Sequence, residues 1–593
     1  MSQTNRELAK LFRNMAAMLE ITGANRFRII SYENAARVLN DLADDVTERA
    51  DDIKALTAIE GIGDGIAKKI IEFAKDGRIT DYEKLAATVP AGLLDVLAIQ
   101  GVGPKTVKLM WEQAGVTDLD SLRAAMDRGD IEALPRLGKK AVANIRDSIA
   151  FLEKSSERIR LGKAAPIAEQ IVAYLKNVPE ITRVEYAGSL RRGCETIGDI
   201  DILVASDHAH LVRDAFTQQP GVDKVLASGG TKASIRLEAG MQVDLRVLEE
   251  ASFGAALLYF TGSKLHNVAL RERAIKRGMR LNEYGLFEWD RKSDDETELN
   301  GESASTPQQQ GQVPIASVTE EDIYAALQLP WIPPELRENR GELNSAMPAL
   351  IDISDICCEL HAHTRASDGR LTIDELALEA KRRGFHTIAV TDHSKSSVQA
   401  NGLSEEALRE HVANVRKANQ RIKGIAILAG AEVDILTDGR LDYDDELLSE
   451  LDIVIASPHA ALAQDQKKAT ARLLRAIEHP LVHIIGHPTA RVIGKRDGLP
   501  LDISTIVAAA AEHDVALEIN ASSWRLDLRD THVRAVMDAD GLVAVNTDAH
   551  AVSDFDQLRY GVVTARRGWV TTKRCVNTWT APKLQKWLRR KRG

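Results

Sequence analysis

Seven short apolar runs recur between residues 356 and 547: ICCEL, TIAVT, AILAGAEV, DIVIAS, VHIIG, VALEIN and LVAVNT. Most are separated by helix-patterned segments. Runs this short and apolar suit strands buried on both faces, and their alternation with helices predicts parallel strands joined by helical crossovers. The second half of the chain is thereby confined to a barrel or an open α/β sheet. Polar residues stand at or just past the run ends, where α/β folds place their chemistry. They are His361, His363, Asp368, His393, Glu432, His459, His487, Asp548 and His550. Residues i and i+2 of a strand share a face, so the H-x-H and D-x-H pairs can each grip one cation. A lone histidine at a strand end is usually structural, but nine donors distributed this way predict a metal centre.

The 593 residues are enough for about three or four domains. A polar, acidic stretch at 290–317, rich in Ser and Gln, reads as an insertion or loop, and Pro330, Pro333 and Pro334 then disfavour continuous helix. Ahead of this break, residues 1–165 are helical in pattern and 180–250 alternate like strands. Within the helical part, LTAIEGIGDGIAKKI carries Gly61 and Gly63, and LAIQGVGPKTVKLM carries Gly101, Gly103 and Lys105. A degenerate copy surrounds Gly138. Each places a glycine turn before a helix whose N-terminal amides can face a phosphate. The repeated pattern resembles the helix-hairpin-helix motif of DNA-binding proteins, which implies contacts to the DNA backbone irrespective of sequence.

Net charge is −10, which excludes a protein coated in positive charge but not one with local basic surfaces. Residues 134–163 carry eight Lys/Arg against three acids, and from Arg566 onward there are ten Lys/Arg and no acid. Four scattered cysteines exclude a disulfide framework. Neither a signal-peptide pattern nor a membrane-spanning apolar window is present, so a cytoplasmic protein without membrane contact is expected.

In AGSLRRGCETIGDIDILVAS, Asp199 and Asp201 lie two apart in a strand-like run, and MQVDLRVLE offers a third carboxylate, Asp244, on another strand. Three carboxylates converging from neighbouring strands can chelate a pair of cations. Gly188 and Ser189 sit where strand turns to helix, a place for amides and a hydroxyl to hold a triphosphate, with Arg192 to neutralise it.

The order G-S-x-R-R-G, G-D-x-D and a later Asp strand resembles the nucleotidyltransferase superfamily, and YFTGSKLHN narrows the resemblance to X-family DNA polymerases. By that resemblance Asp199 and Asp201 bind two magnesium ions, and Asp244 binds the catalytic one. Ser189, Arg192 and Gly198 hold the β and γ phosphates. Tyr259, Phe260 and Gly262 pack against the sugar, Asn267 reaches the base edge, Arg271 reaches the template, and Asn282, Glu283 and Tyr284 make the thumb's closing contacts. Gln242 departs from the basic residue of eukaryotic polymerases, which is expected to alter how Asp244 is held. Lys69 matches the Schiff-base lysine of the polymerase beta lyase domain, although Gly65 stands where a supporting lysine is common.

HAHTRASDG, TDH, GAEVD, SPH, GHP and NTDAH resemble the PHP domain, and all nine of that family's ligand positions are filled. The resemblance implies a distorted (βα)7 barrel, up to three manganese or zinc ions, and phosphoester hydrolysis; Glu359 replaces a more usual Asp beside the site. Nearly the whole chain is thus similar to bacterial X-family DNA polymerases with a C-terminal PHP domain, a multidomain α+β and α/β fold. The expected divisions are a lyase-like helical domain at 1–80, a fingers-like domain at 81–165, and a nucleotidyltransferase palm at 166–249. A thumb at 250–335 containing the 290–317 insertion, a linker at 336–354 and the PHP domain with its basic tail at 355–593 complete the chain. The expected function is short-gap filling on gapped or primed DNA with deoxynucleoside triphosphates, coupled to 3′-end processing as exonuclease, 3′-phosphatase or abasic endonuclease, by a monomer. The alternatives are a PHP phosphoesterase whose first half only binds DNA, and a DNA-end-binding scaffold.

Overall fold

The computed structural model describes residues 3–42, 45–59, 61–97, 99, 102–135, 137–139, 141–143, 145, 146, 149, 158–289 and 312–590. Most of the acidic stretch and the last three residues lie outside these. The chain divides into two units, one of residues 1–157 with 464–470 and 499–506, the other of 158–463 with 471–498 and 507–593. Among the described residues no helix is long and apolar enough to cross a membrane.

The first unit is helical. Leu8, Phe12, Met15 and Leu19 recur at helical spacing along Gln3–Thr22 and bury against Tyr32, Ala35 and Leu39 of Arg26–Asp41. Asn25 starts the second helix by accepting from the Phe27 amide at 2.9 Å. Two turns enter helices Asp64–Asp76 and Pro104–Ala114, whose N-caps are Gly63 and Gly103, neither offering a side-chain cap. Their first amides are therefore open to an outside acceptor.

In the second unit, the palm is a five-stranded sheet of Arg183–Tyr186 (β1), Asp199–Ala205 (β2), Val222–Gly229 (β3), Lys232–Leu237 (β4) and Gln242–Leu248 (β5), in the order β1-β2-β5-β4-β3. Strands β2 and β5 run parallel, with Asp201 opposite Asp244 and Asp199 opposite Gln242. Helix Leu161–Leu175 covers one face through Ala164, Ala168 and Ile171.

The thumb packs helices Phe253–Thr261, Lys264–Lys276 and Glu320–Ala326 on the hairpin Met279–Asn282 (β6) and Gly285–Glu288 (β7). Buried Glu320 accepts from Arg191 and Arg337, which hold its carboxyl down at about 2 against the opposing effect of burial. A depressed carboxylate stabilises the fold above its unfolded value near 4.5 and loses that contribution as pH falls through the folded value. At about 1.4 kcal/mol per unit this is worth about 3 kcal/mol. Amide exchange protection around Tyr324 and Arg337 is expected to fall as pH drops below about 4.5. Glu320→Gln should lose protection already at pH 6 and show a flatter acid profile, whereas a wild-type-like profile would contradict this account.

Residues 336–354, expected as a linker, are packed rather than free. Arg337, Glu342 and Ile351 are buried, and Glu342 takes a 2.6 Å contact from His266.

The last part of the unit settles the choice between barrel and open sheet. Cys358–Glu359 (β8), Thr387–Val390 (β9), Ala426–Asp434 (β10), Ile453–Ser457 (β11), Ile484–Ile485 (β12), Ala516–Asn520 (β13) and Leu542–Asn546 (β14) pair in sequence order, all parallel. Beyond the first and last strands Ala362 bridges to Ala549 in parallel, which nearly closes the barrel. Strands β9, β11, β13 and β14 are buried at every residue, as double-sided burial requires. The cysteines are free thiols, and burial raises the pKa of Cys358 and Cys575.

Candidate active sites

The palm site begins at Gly188. Its φ is +64°, and a Cβ there would run into the Asp201 carboxylate, so only glycine permits this approach. Ser189 follows in the single helical turn Gly188–Arg191. Burial, then Asp199 and Asp244, raise the Asp201 carboxyl to about 7; burial and Asp244 also raise Asp199. Crowded carboxylates that prefer to keep a proton are groups that a divalent cation would relieve. Asp244 accepts from Ser234, and Gln242 Nε2 donates to both its oxygens at 3.0 Å. Gln242 thus takes up the holding of Asp244, and the three palm carboxylates do not meet within 4.8 Å of one another as the barrel donors do.

Around this triad, Tyr259 and Phe260 stack edge to face at 5.1 Å, and Arg246 lies 4.3 Å over the Phe260 ring. Arg246 was not singled out from the sequence, although its place two residues after Asp244 puts it on the same face of β5. It lines a cavity of about 180 Å³ with Phe260, Glu283 and Tyr284. Asn267 donates to the carbonyls of Tyr259 (2.6 Å) and Gly262 (3.3 Å), and its buried Oδ1 has no partner. Asn282 closes the β6–β7 turn by accepting from the Tyr284 and Gly285 amides. Arg271 lies on the Lys264–Lys276 helix, and Gly198 stands near Arg158, which donates to the Thr196 carbonyl at 2.6 Å.

Gly188→Ala is expected to push the Asp201 carboxylate about 1 Å from its place and so to slow any reaction the three aspartates support about 100-fold. Unchanged divalent-cation binding by the barrel donors would show the second site intact. A wild-type rate would remove Gly188 from the site.

In the helical unit, a Cβ at Gly63 or Gly103 would meet nothing, so packing does not demand glycine there. Gly61 is needed for its φ of +92°. Gly101 lies outside the described residues, and Lys105 sits in the first turn of the Pro104–Ala114 helix. Lys69 pairs with Asp81 at 2.9 Å, and despite burial that partner raises its pKa. The pairing opposes the neutral amine that a Schiff-base lysine needs.

The barrel brings all nine predicted donors to one end. His363, Asp368, His393 and His550 form one group, His361, His363 and Asp548 a second, and His393, Glu432 and His459 a third, each with ligand atoms within 4.8 Å. Glu432 is central, with His393 Nδ1 and His487 Nε2 each 2.9 Å from its oxygens. His363 Nε2 is 3.0 Å from Asp548, and His550 Nε2 is 3.2 Å from Asp368. His487 (φ +25°) and Asp548 (φ +53°) adopt left-handed backbone, strain of the kind that concentrates at functional sites.

Burial disfavours charge on these rings, yet Glu432 and Asp368 hold His393 up at about 11, and carboxylate partners hold His459 and His550 at about 9. The same rings hold Glu432 and Asp368 below the usual carboxylate range. Buried atoms His361 Nε2, both His363 nitrogens, His393 Nδ1, both Glu432 oxygens, His487 Nδ1 and Asp548 Oδ1 nevertheless make no well-formed hydrogen bond. Such a set of orphaned N and O donors fits divalent cations.

The supporting groups were less visible beforehand. Glu518 accepts from His361 Nδ1 at 2.7 Å and from the His487 amide at 2.7 Å, which fixes one ring's tautomer and the start of another loop. Asp434 holds His459, and Asp392 takes Thr364, Ser367 and His411. Glu359 spans to Thr547 Oγ1 at 2.7 Å and the His361 amide at 3.1 Å. The available signal for Glu518 is an acid inside the otherwise apolar run VALEIN.

Comparison with known proteins agrees with this geometry. The DNA polymerase beta thumb family matches residues 256–338, a helix-hairpin-helix domain 3–79, a SAM-like helix-hairpin-helix tandem 93–150 and the PHP domain 359–522. The chain is 35% identical over 589 residues to the DNA polymerase/3′-5′ exonuclease PolX of Bacillus subtilis, covering 99% of each chain. A probable phosphatase of Tolumonas auensis is 34% identical over 202 residues, 32% of this chain and 77% of that protein. A probable phosphatase of Thermoanaerobacter is 30% identical over 245 residues, 40% of this chain and 95% of that protein.

Proposed function

The chain belongs to the bacterial PolX family of DNA polymerase/3′-5′ exonucleases, and from that premise we propose that it fills short gaps in damaged DNA and trims or cleans the 3′ ends it extends. The observation that carries the reading is that two donor sets stand in one chain, Asp201 opposite Asp244 with Asp199 on the same palm strand, and the clustered barrel residues, which His487 joins through Glu432.

In the palm, Asp199, Asp201 and Asp244 would hold magnesium, which when bound supplies electrostatic stabilisation to the phosphoryl group in transfer. The Gly188–Ser189 turn donates amides and a hydroxyl to the triphosphate, and Arg192 supplies positive charge beside it. Gly198 lets the triphosphate approach the backbone. Tyr259, Phe260 and Gly262 form the wall against the sugar, and Asn267 presents its Oδ1 to the base. Gln242 and Ser234 keep Asp244 from swinging away between turnovers. The open amides in the first turns of helices Asp64–Asp76 and Pro104–Ala114, set up by Gly61, Gly63 and Gly103, grip DNA phosphates on the flanks of the gap together with Lys105, and Arg271 the template strand.

In the barrel, His361, His363, Asp368, His393, Glu432, His459, His487, Asp548 and His550 would hold manganese or zinc, whose Lewis acidity activates water and steadies the leaving oxygen. Glu518 and Asp434 orient His361 and His459, and Glu359 fixes the loop that carries the H-x-H pair. The division into 1–80, 81–165, 166–249, 250–335 and 355–593 remains our assignment. Lyase chemistry at Lys69 is not part of it, given the Asp81 pair.

The test is an end-labelled primer in a one-nucleotide gap, incubated with magnesium or manganese, with and without deoxynucleotides. Extension by one nucleotide with deoxynucleotides and shortening without them is the expected pattern. Shortening alone, from folded protein, would replace the proposal with a phosphoesterase that merely binds DNA through its first half.

A further inference from the structure

The loop assigned above to the triphosphate does not stand on the palm alone. Helix Leu558–Arg567 of the barrel region lies directly against it. Gly193 adopts a φ of +67°, and a Cβ there would collide with Val563 of that helix. At the helix end, buried Arg567 donates through Nη1 to the carbonyl of Arg192 at 2.7 Å and reaches Glu338 with both terminal nitrogens at 3.1 Å. Glu338 Oε1 also accepts from Arg192 Nε at 2.9 Å, so one carboxylate oxygen is shared between the loop's arginine and the barrel's. Arg192 Nη1 is tied to the Thr261 carbonyl at 2.8 Å, and its Nη2 has only a weak contact to Cys194 Sγ at 3.9 Å. Asp530 completes the cluster, pairing with Arg567 at 2.8 Å and with Arg340 at 2.9 Å.

We propose that Arg567 is a positioning residue of the polymerase reaction: by sharing Glu338 it keeps Arg192's charge available to the incoming nucleotide's phosphates. The inference rests on the reading of residues 188–193 as the nucleotide site. Three arginines (192, 340, 567) stand against two carboxylates (Glu338, Asp530), leaving the cluster one positive charge in excess. Glu338 is held at about 2, against burial, by Arg567 and Arg192, so it stays ionised at working pH. Without Arg567 the cluster is neutral, Glu338 answers to Arg192 alone, and the Arg192 carbonyl loses its donor. The second half of the molecule thereby becomes part of nucleotide binding through charge and geometry, with no contact to the nucleotide itself.

The experiment is steady-state single-nucleotide gap filling by full-length Arg567→Ala, Arg567→Lys and Arg192→Ala proteins, with exonuclease activity on single-stranded DNA as the measure of a folded barrel. Arg567→Ala is expected to raise KM for the deoxynucleotide about tenfold, a typical coupling between linked sites, while kcat and KM for DNA stay put. Arg567→Lys keeps the charge without the fork and should lie between wild type and the alanine variant. An unchanged nucleotide KM in exonuclease-competent Arg567→Ala, or a fall in kcat alone, overturns the proposal. Should that variant lose the exonuclease by misfolding, Arg567→Lys decides: a raised KM supports the proposal and a wild-type KM overturns it. Arg192→Ala with a wild-type nucleotide KM would instead overturn the assignment of the loop.

Discussion

Asp199→Ala/Asp201→Ala protein is expected to lose primer extension by roughly 10⁴-fold while still shortening the same labelled strand. The pair lies on one face of β2, with Asp201 opposite Asp244, so removing both leaves a single carboxylate to hold two cations. Losing about 6 kcal/mol of transition-state stabilisation, at about 1.4 kcal/mol per factor of ten, gives that magnitude. Wild type should show a pH signature that the variant lacks. A cation must displace the proton that burial and the neighbouring aspartates retain on Asp201 up to about pH 7, so extension at limiting magnesium should climb between about pH 6 and 8. At saturating magnesium the climb should flatten, because the cation then wins the competition. Extension by the double variant within tenfold of wild type would dismiss the palm triad.

Site residues were legible where chemistry imposes a spacing. Asp199 and Asp201 announce themselves because a strand repeats every two residues, and the barrel ligands because most stand at or just past an apolar run that reads as a buried strand. The same logic left barrel and open sheet undivided, since the closing Ala362–Ala549 bridge joins positions 187 residues apart and no local pattern encodes such a pairing. Arg246, Glu518 and Asp434 escaped notice because one charged residue in a strand looks like an ordinary solvent-facing residue until its neighbour is known. The structure supplies the neighbours: a ring for Arg246, and imidazoles for Glu518 and Asp434.

The stretch 336–354 is harder to read. Pro330, Pro333 and Pro334 ahead of it suggest a rigid connector, but Arg337 and Glu342 are polar residues with buried partners, and burial of a paired polar side chain leaves no mark in hydropathy. Arg567 belongs to the same class. It stands second in a run that reads as a basic tail, yet it is buried between two carboxylates and the Arg192 carbonyl.

His361→Ala/His363→Ala protein should show the reverse phenotype, exonuclease activity down by roughly 10³-fold or more with gap filling retained. Both rings belong to the donor group completed by Asp548, and His363 also belongs to the group with Asp368, His393 and His550, so one double substitution opens two of the three clusters. The rings are fully buried, and their loss strands Glu518, Asp548 and part of the charge on Glu432. Part of any defect will therefore be local destabilisation, about 3 kcal/mol or more for an uncompensated buried charge. Metal titration separates the two causes. In wild type, cation binding must expel the protons that neighbouring carboxylates stabilise on His459 and His550, so binding should release protons and strengthen as pH rises towards 9. In the variant that release should shrink in stoichiometry even where circular dichroism reports a folded barrel. Because the palm lies on a different sheet and draws on different carboxylates, extension should survive; its simultaneous loss in a folded variant would mean that the two sites are one functional unit and the division of labour proposed above is wrong.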